Sequence, residues 1–294
     1  MKLLKVSIII FLILFIIFYF TCLTHFQIEH FNVTGTPPNY KNKKIAICIS
    51  GQFRYINDML INHQCLFPLK PDFFIYADDN LTNEEKDLIT CFYKPQNIVW
   101  DNEKIEKIKK YPDNMVYMLK RMYFCDKLRQ DYENKYNFEY DIVIRLRPDL
   151  VLKEYIPENI INNFQKDALY IPIQYKHDIY WSRIFGPTDM FVMGDRNIMK
   201  IYSECYLNLK DSNTDTCTGE NILFGYYSNL IKYVYKFKCG FVLHSMIFEW
   251  NLSSLKNLFF KQFWSKLWFI QPENLIKCTI NNKLSNKKLI SYIE

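Results

Sequence analysis

The chain has 294 residues, of which 49% are hydrophobic, 17% aromatic and 23% charged, enough apolar material for one sizeable core and too much for a disordered chain. Its 37 Lys and Arg against 31 Asp and Glu give a net charge of +6, but the basic residues are dispersed and form no stripe interleaved with aromatics, which argues against a nucleic-acid binder. With 7 Gly and 11 Pro, collagen-like and flexible low-complexity classes fall away.

The first element is apolar. From Val6 to Leu23 only Ser7 and Thr21 are clearly polar, a length that covers most of a bilayer's hydrocarbon core. Lys2 and Lys5 precede the run, no Lys or Arg follows until Lys41, and Leu23-Thr24-His25-Phe26 is a poor cleavage site. The expectation is a cytoplasmic tail at 1–5, a transmembrane signal anchor at 6–26 and a type II orientation with the remainder lumenal or extracytoplasmic. Asn32, Asn80 and Asn251 head glycosylation sequons that this orientation would expose. Eight cysteines lie beyond the anchor, free to pair in an oxidising compartment, yet none forms a CxxC or a zinc-like spacing.

Residues 27–44, with Gly35, Pro37, Pro38 and a Lys-rich run, read as a stem, and a domain at 45–250 follows. Ile45 to Ile49 is a continuous β-prone run ended by Ser50-Gly51, the pattern of a strand buried on both faces of a parallel sheet. Further strands are expected at Asp72–Ala77, Asn97–Trp100, Tyr140–Leu146, Ala168–Ile173, Met190–Met193 and Tyr233–Phe237. Helical spacing marks Pro112–Tyr132, a helix capped by Asp195 and another capped by Thr218. Alternating strands and helices predict an α/β sandwich with a mostly parallel sheet, whose ligands bind beyond the strands' carboxyl ends.

Two strand ends carry chemistry. At Ser50-Gly51-Gln52-Phe53-Arg54, Gly51 permits close backbone approach and Arg54 offers a planar cation to a phosphate; an ordinary tight turn explains Gly51 as well. In Tyr140-Asp141-Ile142-Val143-Ile144-Arg145-Leu146-Arg147-Pro148-Asp149, Arg145 and Arg147 share a strand face and Asp149 emerges past the strand's end. Two readings are open on physics alone. Either the arginines and Asp149 form a static ion network, or the arginines face a diphosphate and Asp149 holds a bridging divalent cation.

These two segments, together with Thr188-Asp189-Met190-Phe191-Val192-Met193-Gly194 and Gly219-Glu220-Asn221, resemble a group of glycosyltransferase-like proteins similar to GT-A type nucleotide-diphospho-sugar transferases, including WavE-like lipopolysaccharide synthesis proteins. The likeness spans about Ile45 to His244, and Arg-x-Arg-Pro-Asp is its most specific part. It implies a GT-A-like, Rossmann-type sandwich, a nucleotide-sugar donor held by Ser50, Gly51, Gln52, Arg54, Arg145 and Arg147, and a glycan, lipid or protein acceptor. It also implies a divalent cation, Mn²⁺ or Mg²⁺, on Asp149. Arg147 stands where the family's Asp-x-Asp has its first Asp, which opens neutralisation of the diphosphate by arginine alone. Asp189 matches a position near acceptor or sugar hydroxyls, although it also suits a turn after Pro187. Glu220 is the candidate base and His244 the candidate third metal ligand; a helix-dipole role and a core histidine are their respective alternatives.

The extension at 251–294 contains an amphipathic helical pattern over Leu255 to Ile270 that suits packing on the domain or a membrane interface. The expected function is a membrane-anchored glycosyltransferase. Its rivals are a type II sulfotransferase, whose phosphate-binding loop fits residues 50–54 poorly, and a catalytically silent glycan-binding or scaffold protein.

Overall fold

The computed structural model describes residues 36–103, 111–173, 189–209, 230–239, 241–243 and 290–292, together with Val33, Ile108, Leu223 and Tyr226. The expected anchor at 6–26, Glu220, His244 and the amphipathic pattern of the extension lie outside them. Among the described residues no helix is long and apolar enough to cross a membrane.

An eight-stranded sheet organises the chain. Its strands are β1 (Ile45–Gly51), β2 (Asp72–Asp78), β3 (Asn97–Asp101), β4 (Ile142–Leu146), β6 (Ala168–Ile173), β7 (Phe191–Gly194), β8 (Tyr233–Lys238) and β10 (Ile290–Tyr292), while β5 (Leu150–Leu152) and β9 (Phe241–Leu243) pair separately. The spatial order is β10-β8-β6-β7-β4-β1-β2-β3. All neighbours run parallel except β7, which is antiparallel to both β4 and β6. β10 falls in the extension, beyond the last expected strand, and joins the sheet parallel to β8.

The period-two alternation of the strands distributes side chains to two helical layers. Ile45, Ile47, Ile49, Ile142, Ile144 and Leu146 pack on the side of α1 (Ile56–His63), α2 (Asn83–Tyr93) and α4 (Glu158–Asn162). Ala46, Cys48, Phe74, Val143 and Val192 pack on the side of α3 (Asp113–Tyr136) and α5 (Arg196–Ser203). A strand buried on both faces cannot alternate apolar with polar, which is why β1 reads as an unbroken apolar run. The expected α/β architecture with a mostly parallel sheet is therefore observed.

Local chemistry fixes the helix starts. Thr82 Oγ1 accepts from Glu85 N while Glu85 Oε2 accepts from Thr82 N, a reciprocal capping box that opens α2. Asp195 caps α5 as expected, accepting from Asn197 N and Ile198 N at 2.9 and 3.0 Å. Within α3, Arg129 is fully buried and donates to Asp126 at 2.7 Å and to Glu133 at 2.5 Å. Ser203 donates to Asp126 and Tyr140 N to Glu133, so this polar group ties α3 to α5 and to the entry of β4.

The last residues of the expected stem lie against the domain. Tyr40 Oη donates to Ile156 O at 2.6 Å, Lys41 N to Asn162 Oδ1 at 2.7 Å and Lys44 N to Asp141 Oδ2 at 2.9 Å. Six cysteines fall among the described residues, and all six are free.

Candidate active site

β1 runs on to β2 and β3 on one side, while β4 lies on its other side, so the direction of winding reverses between β1 and β4. At such a switch point the connections leaving two adjacent strands diverge and open a crevice beyond their carboxyl ends. A cavity of about 680 Å³ lies there. It is lined by Ser50, Gly51, Gln52, Arg54, Arg145, Arg147, Asp149 and Asp189, which are the eight candidates that fall among the described residues.

The backbone explains how the β1 wall is built. Gly51 has φ of +134°, a conformation that side-chain-bearing residues rarely adopt, and a Cβ there would lie 3.3 Å from Pro148 Cδ. The two strand-end loops thus touch through a missing side chain. Beyond it, Gln52 Oε1 accepts from Arg54 Nε and Nη2 at 2.9 and 2.5 Å, which holds the exposed guanidinium along the cavity rim.

On the β4 wall the two arginines have different surroundings. Arg147 donates from Nε to Asp149 Oδ1 at 2.9 Å, from Nη2 to Asp149 Oδ2 at 3.0 Å and from Nη1 to Asp189 Oδ2 at 3.2 Å. Burial works against its charge, but Asp189 and Asp149 more than offset that and hold its pKa above the ordinary value. Arg145 is only 3% exposed, and its Nε and Nη1 make no hydrogen bond. Burial pushes its pKa down against the attraction of Asp189. The Ser50 hydroxyl, fully buried at the end of β1, also lacks a hydrogen-bond partner.

A polar wall that the sequence reading left largely unassigned completes the cavity. Arg121 of α3 pairs with Asp78 at the end of β2, and its Nε lies 4.0 Å from Asp101 at the end of β3. Lys120 reaches Asp101 and Glu103 at 3.3 Å each. The Arg121 guanidinium lies 5.1 Å from the Tyr117 ring centroid. Burial raises the Asp78 pKa while Arg121 opposes the rise. Asp78 and Asp101 directly follow the expected strands Asp72–Ala77 and Asn97–Trp100, whereas Lys120, Arg121 and Tyr117 carry no strand-end signal.

The residues that follow Asp149 are held by the end of α1. His63 Nε2 lies 2.8 Å from Leu150 O, and Asn62 exchanges two hydrogen bonds of 2.8 Å with the backbone of Leu152. Asn62 thereby acts as a strand partner for β5 on the side that β9 does not occupy.

Among the described residues, this donor set does not fit the implied divalent cation. Both oxygens of Asp149 and one of Asp189 accept from Arg147, and among the described residues no three Asp, Glu, His or Cys side chains gather. The unmade donors of Arg145 and Ser50 call for an anion. Glu220 and His244 lie outside the described residues.

No protein-family model matches the sequence, and no curated protein matches it. Among solved structures the chain is similar to the apo form of the glycosyltransferase GlyE of Streptococcus pneumoniae TIGR4, with 12% identity and a TM-score of 0.42 over 74% of this chain and 51% of that one. It is also similar to a glycosyltransferase involved in the glycosylation of the major capsid of PBCV-1, with 12% identity and a TM-score of 0.37 over 65% of this chain and 80% of that one. The chain thus spans about half the length of the GlyE chain.

Proposed function

We propose that the chain is a GT-A-type glycosyltransferase that moves a sugar from a nucleotide-diphosphate donor to a hydroxyl of a glycan, lipid or protein. The observation that carries this reading is Arg145, a buried guanidinium with two unpartnered nitrogens in a cavity at the switch point of a largely parallel sheet. Burying such donors unmade is costly, and a phosphate oxygen is the acceptor whose charge and geometry repay it. The cavity, about 680 Å³, is within the range of small-molecule sites.

Transfer breaks the bond between the anomeric carbon and a diphosphate oxygen, which departs with the electron pair. Fixed cations at that oxygen stabilise the developing charge without having to reorganise. Arg145 and Arg54 take that role, and Asp189, which gives one oxygen to Arg147, lies on the acceptor side. Glu220 remains the proposed recipient of the acceptor's proton. The apolar run at 6–26, with Lys2 and Lys5 before it, supports a tether that holds this domain at an extracytoplasmic membrane face.

The test is donor turnover by the purified protein across a panel of nucleotide sugars, beside a sulfonucleotide donor. Release of a nucleoside diphosphate with one sugar donor, reduced at least about a hundredfold by Arg145→Met, is the expected result. Turnover of the sulfonucleotide, or of nothing in the panel, would sink the reading.

A further inference from the structure

The Asp-x-Asp of the family that the sequence resembles, whose place Arg147-Pro148-Asp149 takes, uses its carboxylates to hold a cation against the donor's phosphates. Here the residue at the first position claims the carboxylate at the second. Arg147 takes both oxygens of Asp149 and one of Asp189, so three of the four carboxylate oxygens at this end of the cavity accept from a single guanidinium. A cation at this end of the cavity, held by one carboxylate and the phosphates, would have to draw its protein oxygen from this pair, beside a fixed positive charge; on the facing wall Asp78 and Asp101 are likewise paired, with Arg121 and Lys120. Arg145 and Ser50, in contrast, are buried, line the same cavity and have unmade polar atoms. A metal ion cannot accept from a guanidinium; a phosphate oxygen can.

We propose that the donor's diphosphate is neutralised by Arg145, with a hydrogen bond from the Ser50 hydroxyl, and that the site binds its donor without a divalent cation. Arg147 is then a positioning residue, locked between Asp149 and Asp189 so that neither carboxylate repels the phosphates. The proposal rests on the reading of the cavity as a nucleotide-sugar site.

Calorimetric titration of the full-length protein with UDP, GDP and inorganic pyrophosphate, in EDTA and in Mn²⁺, tests it. The expected Kd for the nucleotide that binds agrees within about twofold between the two media, and Arg145→Met weakens it at least about tenfold in both. Ser50→Ala weakens it about threefold and leaves the thermal midpoint of the free protein unchanged, because the hydroxyl has no partner to lose. If Arg145→Met fails to fold by circular dichroism, Ser50→Ala carries the test alone. Nucleotide binding that chelation weakens more than about tenfold and Mn²⁺ restores would overturn the proposal. Pyrophosphate binding in EDTA, without binding of either nucleotide, would keep the cation-free anion site and overturn the nucleotide reading. No binding of any of the three in either medium would overturn both.

Discussion

His63 Nε2 donates to the carbonyl oxygen of Leu150, 2.8 Å away, and the direction of that bond fixes the tautomer of the neutral ring. A carbonyl only accepts, so Nε2 carries the hydrogen, and Nδ1 of the neutral imidazole accepts from Tyr93 Oη at 2.6 Å. Burial lowers the His63 pKa from 6.5 to about 4. In the unfolded chain the ring takes up its proton near pH 6.5, so unfolding is coupled to proton uptake between these values. The stabilisation from neutral His63 is therefore complete above pH 6.5 and lost as pH falls toward 4. It amounts to about 3 kcal/mol. Urea midpoints at pH 7 and pH 4.5 should converge in His63→Gln relative to the parent; an equally steep fall in both would refute the assignment.

Arg147 and Asp149 should be energetically coupled. Asp149 is buried while Arg147 is partly open to water, so Asp149→Asn is expected to cost about 1–3 kcal/mol, below the cost of breaking a fully buried pair. In a double-mutant cycle with Arg147→Met the two losses should fall short of additivity by at least about 1 kcal/mol. Strict additivity would mean that the pair holds nothing.

Gly51→Ala should destabilise by about 1–3 kcal/mol, because alanine must be forced to a φ of +134° and its methyl must displace the Pro148 ring. Since that ring belongs to the loop carrying Arg147 and Asp149, nucleotide affinity should fall as well. A variant with parental stability and affinity would show that the two loops adjust freely.

Arg129→Met should be the most damaging of these changes. It strips the cation from two buried carboxylates, Asp126 and Glu133, at a cost of about 3–5 kcal/mol by denaturant unfolding. A loss below about 1 kcal/mol would mean that the carboxylates find other partners.

Much of this architecture is legible in one sequence because the strands of a covered parallel sheet are short apolar runs with sharp ends. β6 coincides with its expected bounds, and β1 runs two residues past the expected end because Ser50 and Gly51 still pair with β2. The reach of α3 was underestimated by four residues: Glu133 and Lys135 look like an exposed tail, whereas Glu133 is buried on Arg129. α1 carried no start signal, since Tyr55 precedes it with φ of 53° and no side-chain cap. α2, in contrast, carries its start in the sequence, in the Thr82-x-x-Glu85 box. In the site, Ser50, Arg145 and Asp149 could be found because strand ends point at the crevice. Arg121, which lines the cavity, and Lys120 behind it could not, because they lie between Leu119 and Met122 on a helix whose orientation is set by packing across layers.

The reversal of β7 governs the order in which the chain can finish its site. The four parallel strands β3-β2-β1-β4 are complete once residue 146 has been made, and they end on β4 with an open edge in the middle of the future sheet. That edge is closed only by β7, which brings Asp189 to Arg147 from just before its first residue and accepts the Arg147 amide through Met190 O at 2.9 Å. During synthesis the half-sheet therefore waits, with an unpaired apolar edge and a half-compensated Arg147, for a segment more than forty residues downstream. An open edge of this kind is a template for pairing with other chains, so the step most exposed to misassembly is the one that completes the candidate site.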